Sequence, residues 1–119
     1  MRCVMPGIKR GEIYDANLLM DGSVQGGRRP VIIIQNDVGN KNSPNVSVIP
    51  ITKRNKARYM PTHVMIKADP DNGLARNSVA MAESTITIPK ERLIARVGQL
   101  RNDDMVRIQN AIKIQFGLV

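Results

Sequence analysis

Two adjacent arginines, Arg28 and Arg29, stand inside the run GSVQGGRRPVIIIQND at residues 22–37, and Thr52 closes a second apolar run, Pro50-Ile51-Thr52. Arginine carries a planar fork of donors that fits two oxygens of one phosphate, and threonine adds a neutral hydroxyl. Gly26 and Gly27 let backbone come close to a ligand. Pro30 restrains the residue before it to extended geometry, which aims Arg29. If the two runs are strands of one small sheet, guanidinium and hydroxyl reach the same rim. The chemistry such a rim suits is holding a phosphate and stabilising charge that builds on its oxygens.

Charge gathers around these residues. The chain has 119 residues and a formal net charge of +8. Within residues 22–68, eight basic side chains (Arg28, Arg29, Lys41, Lys53, Arg54, Lys56, Arg58 and Lys67) meet a single acid, Asp37, so this stretch carries +7. A field so concentrated attracts a phosphate backbone or an acidic protein segment. His63 is the only histidine, the usual proton shuttle near neutral pH. Cys3 is the only cysteine, so neither an intrachain disulfide nor a cysteine metal site is expected.

The elements that must position these groups follow from periodicity. Residues 1–7 read as a flexible tail, and the opening MRCVMPGIKR lacks the apolar stretch of an export signal. The longest aliphatic run, residues 31–34, falls far short of the roughly 20 residues of a membrane helix. A soluble, reduced, cytoplasmic protein of one domain, residues 1–119, is expected. Residues 12–18 alternate as an opening strand. Residues 30–35 form a β-branched run bounded by turn formers, which predicts a central strand buried on both faces. Residues 36–44, NDVGNKNSP, read as a loop.

Residues 46–51 are the next strand and 53–60 a basic loop. Residues 62–66 alternate again, before the turn cluster Asp69-Pro70-Asp71-Asn72-Gly73. Residues 78–82 and 85–88 read as two strands or one bent strand, 89–93 as a short helical turn, and 94–97 as a last strand. From Asp103 onward the period changes. Met105, Ile108, Ile112 and Phe116, widened by Val106, Ala111 and Ile114, mark the apolar face of a helix that packs on the core. Asn102 or Asp103 would cap it and Gly117 would stop it. The sum is a mainly β fold with some α: a small, strongly bent barrel of antiparallel strands with a C-terminal helix.

QGGRRPVIIIQNDVGNKNSP, then VSVIPIT, MPTHV, and NSVAMAE followed by TI and ERL, resemble in order and spacing the MazF/PemK toxins. The likeness runs over residues 8–118 and is greatest toward MazF of the Bacillus type. It implies an SH3-like barrel of twisted antiparallel strands (the CcdB/PemK-like fold), usually a homodimer. It also implies the toxin of a type II toxin–antitoxin pair, an mRNA interferase. Such an endoribonuclease is sequence-specific and ribosome-independent, and cuts single-stranded RNA without a metal or other cofactor. It leaves a 2′,3′-cyclic phosphate and a 5′-hydroxyl. By resemblance the catalytic arginine maps onto Arg29 and the catalytic threonine onto Thr52, with Arg28 at a variable position of the motif. Gln25, Gly26 and Gly27 belong to the same motif and are expected to support the site.

One departure stands out. Many members carry a glutamate immediately before the Gln of this motif, where this chain has Val24. Glu83, in the AMAES stretch that matches a polar, site-facing segment of the family, is the next carboxylate. It is expected chiefly as a partner of Arg29. His63 sits in PTHV, which the family shares, and the family's assigned catalysis does not need it.

RNA recognition is expected from the loops beside the catalytic pair. Arg28, Lys53, Arg54, Lys56 and Arg58 would track phosphates, Tyr59 would stack on an unpaired base, and Asn55 and Ser84 would read polar edges. The resemblance implies a second partner: an antitoxin whose acidic, disordered tail covers the active site and competes with RNA. Two other readings remain open at this point. One is a gyrase-poisoning toxin like CcdB, whose relatives lack the Arg and Thr pair. The other is a non-catalytic RNA-binding module, suggested by Val24.

Overall fold

The computed structural model describes residues 7–18, 27–53 and 60–119. Among them, seven antiparallel strands join into one sheet: β1 (Glu12–Asn17), β2 (Arg28–Ile33), β3 (Asn45–Lys53), β4 (His63–Ile66), β5 (Ser78–Met81), β6 (Ile86–Pro89) and β7 (Leu93–Gln99). Helix α1 (Asp37–Asn42) links β2 to β3, and α2 (Asn102–Gln115) follows β7. Single 3-10 turns occupy Ala82–Ser84 and Lys90–Arg92.

The strand path is β4-β5-β3-β2-β1-β7, with β6 also beside β3. The long β3 organises it. Its first half pairs with β6, from Asn45↔Pro89 to Val48↔Ile86, and its last three residues pair with β5, from Ile51↔Ala80 to Lys53↔Ser78. The 3-10 turn at Ala82–Ser84 therefore separates two strands that serve opposite ends of β3. Among the described residues no pairing joins β4 to β7, so the expected barrel is an open sheet.

Strand β2 explains why the sheet has two cores. Val31, Ile32 and Ile33 are all fully buried. Alternation sends Ile32 to one side, with Ile13, Ile49 and Ile66, and sends Val31 and Ile33 to the other, with Tyr14, Val48 and Ile88. Two-sided burial is what the β-branched run predicted, although the strand starts earlier, at Arg28. Helix α2 covers the Ile32 side through Ile108 and Ala111.

Three local readings are corrected. The segment expected to be a loop forms α1, because Asn36 Oδ1 accepts the Gly39 N–H at 2.8 Å and caps the helix start. Buried Asn40 secures it by donating to the Gln35 carbonyl and to Asp37 Oδ1, each at 3.0 Å. In α2, Arg101 holds the capping position with no side-chain bond, and Asn102 is already helical. Asp103 and Asp104 instead suit the helix dipole from within the first turn. Gly117 ends the helix at φ +68° as expected. The apolar stripe is narrower than its spacing suggested. Ile108 and Ala111 are buried and Met105 and Ile112 pack against them, whereas Val106, Ile114 and Phe116 are exposed.

Candidate active site

Strands β2 and β3 run antiparallel with Val31 across from Pro50, Ile32 from Ile49 and Ile33 from Val48. Arg29 and Thr52 each stand two residues beyond the Val31–Pro50 pair on their strands. Period-two alternation places Arg29 on the side of β2 that holds Val31, and Thr52 on the side of β3 that holds Val48 and Pro50. Both line one open cleft of about 590 Å³, with Arg28, Pro30, Ile51, Lys53, Leu74, Ala75, Arg76 and Ser78. Pro30, Ile51, Leu74 and Ala75 make its apolar part. Four cations and two hydroxyls supply its polar groups, and none of these lining residues is a carboxylate or an imidazole.

The two arginines differ. Arg28 is exposed, and its guanidinium lies 3.7 Å from Asp15 Oδ2. Arg29 is half-buried, and its Nε is fully buried with no hydrogen-bond partner among the described residues. A buried donor left unpaired costs free energy, so such groups are rare. Thr52 is held from the other side as well, across from Val79 of β5. The strand order β5-β3-β2 thus puts Thr52 in the middle, with Arg29 on one flank and the approach to β5 on the other.

Glu83 is elsewhere. Its Oε1 accepts a hydrogen bond from Thr62 Oγ1 at 2.7 Å, and its Oε2 lies 2.7 Å from His63 Nε2. Burial by itself raises the pKa of this carboxyl. Hydrogen bonds from Thr62, its own backbone N–H and His63, with attraction to His63, outweigh burial and hold it below the usual range. The expected pairing of Glu83 with Arg29 is therefore not formed: spatial neighbours on and beside β4 occupy its oxygens. His63 is nearly buried, with its side chain 11% exposed, and is accounted for by Glu83.

Ser84, on the same turn as Glu83, does not line the cleft. Neither does Gly27, whose φ of +90° turns the chain into β2 while its carbonyl accepts the Leu18 N–H at 2.9 Å. Gln25, Gly26, Arg54, Lys56, Arg58 and Tyr59, with Val24 and Asn55, lie outside the described residues. Sequence reasoning missed Leu74, Ala75, Arg76 and Ser78 as cleft residues. The available signal was the turn cluster at residues 69–73, which sends the chain back to pair with the end of β3. Among the described residues no three His, Cys, Asp or Glu side chains converge to hold a metal ion, and no helix is long and apolar enough to cross a membrane.

The family model for PemK-like, MazF-like toxins of type II toxin–antitoxin systems matches residues 9–116. The chain is 41% identical over 113 residues to endoribonuclease EndoA of Bacillus subtilis (strain 168), spanning 94% of this chain and 97% of that one. Among solved structures, an endoribonuclease in complex with its cognate antitoxin from a mycobacterial species is similar with a TM-score of 0.78 and 25% identity, over 95% of this chain and 98% of that one. The Mycobacterium tuberculosis toxin MazF-mt6 is similar with a TM-score of 0.73 and 31% identity, over 89% and 96%.

Proposed function

Because the chain belongs to the PemK-like, MazF-like toxins of type II toxin–antitoxin systems, we propose that it is an endoribonuclease that cuts single-stranded RNA in the Arg29–Thr52 cleft. The observation that carries this reading is that Arg29 and Thr52 line one cleft with three further cations, Arg28, Lys53 and Arg76. EndoA, 41% identical, is named for the same activity.

The chemistry follows from what those groups do. The ribose 2′-oxygen of the substrate attacks its own adjacent phosphorus. An O2′–P bond forms and the P–O5′ bond breaks. The proton leaves the 2′-hydroxyl, and the departing O5′ gains one. The products are a 2′,3′-cyclic phosphate and a 5′-hydroxyl. Negative charge grows on the non-bridging oxygens during attack. The Arg29 guanidinium donates to them, and the Thr52 hydroxyl fixes the phosphate from the adjoining strand. Holding the phosphate on two neighbouring strands also restricts it to geometries suited to in-line attack. Arg28 and Lys53 hold the backbone beside the catalytic pair, and sequence preference belongs to the loops flanking the cleft.

The same reading supplies the partners. The mycobacterial relative was solved with its cognate antitoxin. We assign this chain, as one toxin domain acting as a cytoplasmic homodimer, an antitoxin whose acidic tail lies along the cationic cleft and excludes RNA. The test is a long single-stranded RNA incubated with the purified protein in EDTA, with fragment ends mapped and DNA of the same sequence run beside it. Recurrent sites with 5′-hydroxyl and cyclic-phosphate ends, and intact DNA, are expected. RNA bound but uncut would mark a binding module; uncut RNA with inhibited gyrase would mark a gyrase poison.

A further inference from the structure

Arg76 enters the cleft from an element the catalytic pair does not use. It is exposed, belongs to the segment leading into β5, and lies across β3 from Arg29. Among the described residues it forms no ion pair.

Its segment is built to stay in place. Asn72 is fully buried. Its Oδ1 accepts from the Asp69 and Leu74 N–H groups at 3.1 and 3.0 Å, and its Nδ2 donates to the Lys67 carbonyl at 2.8 Å. Asn77 Oδ1 accepts the Ala68 N–H at 2.9 Å, and Ser78 Oγ donates to the carbonyl of Arg76 itself at 2.9 Å. Behind the turn, Gly73 and Gly98 allow a backbone approach so close that a Cβ on Gly73 would stand 2.2 Å from the Val97 carbonyl oxygen. Side-chain hydrogen bonds of Asn72, Asn77 and Ser78 thus tie down the backbone leading to Arg76. A cation on such a stiff base loses less freedom when it engages a ligand.

We propose that Arg76 is a positioning residue that grips an RNA phosphate next to the scissile one, from the wall facing Arg29. The inference rests on the endoribonuclease reading. RNA then crosses the end of β3, held at Arg29 and Thr52 in the middle, at Arg28 and Lys53 on one side and at Arg76 on the other. Leu74 and Ala75, beside Arg76, offer an apolar surface to the base of the same nucleotide. Arg76 touches backbone away from the reacting atoms, so it contributes to binding and little to the chemical step.

Two measurements test this on the full chain. The first is binding of a mixed-sequence single-stranded RNA, fully 2′-O-methylated so that it lacks the nucleophile, across a salt series. Arg76→Ala should weaken binding about fivefold to tenfold, and the slope of log affinity against log salt should shrink by about 0.7, the share of one phosphate contact on a single strand. Arg76→Lys should restore most of that slope. The second is steady-state cleavage of unmodified RNA, where Arg76→Ala should raise KM by a similar factor and leave kcat within about twofold. Unchanged affinity and slope in Arg76→Ala overturn the proposal, and so does a fall in kcat at constant KM. Wild-type protein that binds the methylated RNA but leaves unmodified RNA intact contradicts the endoribonuclease reading instead, and the binding comparison still decides the role of Arg76.

Discussion

Glu83 Oε2 lies 2.7 Å from His63 Nε2, and the other oxygen of the same carboxylate accepts from Thr62 at 2.7 Å. With Glu83 ionised, the imidazole nitrogen is the donor. One acid thereby ties the turn after β5 to the start of β4, in place of the Arg29 partnership that the sequence suggested. The only histidine of the chain is committed to the same contact.

The pH dependence of stability follows from this contact. Folding lowers the Glu83 pKa below its ordinary 4.5, with hydrogen bonds outweighing the opposing effect of burial. A group depressed in this way contributes stability that is fully present above the ordinary value and lost as pH falls through the lower folded value. Urea unfolding should show wild type losing stability through that window. Glu83→Gln should start about 1 kcal/mol lower at neutral pH and fall less steeply. Parallel curves for the two proteins would rule out the contact as a source of acid sensitivity.

The contrast between neighbouring arginines gives a second expectation. The Arg28–Asp15 pair is long and exposed, worth little to folding. Arg28→Ala should keep its unfolding midpoint within about 0.5 kcal/mol of wild type. Its KM for RNA should rise several-fold while kcat stays within about threefold, as for a phosphate contact outside the reacting group. Steady-state cleavage of one RNA by both proteins checks this, and a collapse of kcat would move the chemistry to Arg28.

The close approach of the residue 69–78 segment to β7 gives a third. Gly73 has φ +69°, and a Cβ there would stand 2.2 Å from the Val97 oxygen. Gly73→Ala should therefore cost about 2–4 kcal/mol in denaturant unfolding, through strain and displaced backbone. A variant as stable as wild type would show that the turn moves freely.

How much of this was legible in the residues depends on range. The run Val31-Ile32-Ile33 has one comfortable home, a strand covered on both sides, so β2 could be read directly, and Arg29 and Thr52 line one cleft. Helix α1 could not be separated from a loop, because Asn36 and Asn40 are turn formers that here cap and brace a helix. The face of α2 was over-read: spacing marks which residues share a side, but not how far the sheet beneath extends, and Phe116 falls beyond it. The place of Arg76, beyond the return that the turn cluster at residues 69–73 signals, and the partners of Glu83 were missed for a third reason. Each is set by strands distant in the chain, β3 with β5 and β4 with the turn at Ala82–Ser84, and no local pattern encodes that meeting.

The catalytic role proposed for Arg29 and Thr52 is tested most directly by the single-turnover rate at which wild type, Arg29→Ala and Thr52→Ala cut one single-stranded RNA in EDTA. Binding to its 2′-O-methyl form is measured alongside. Each substitution should slow cleavage by about 10²-fold or more while binding weakens by about tenfold at most. Variants that cut as fast as wild type would contradict the assignment of chemistry to this pair.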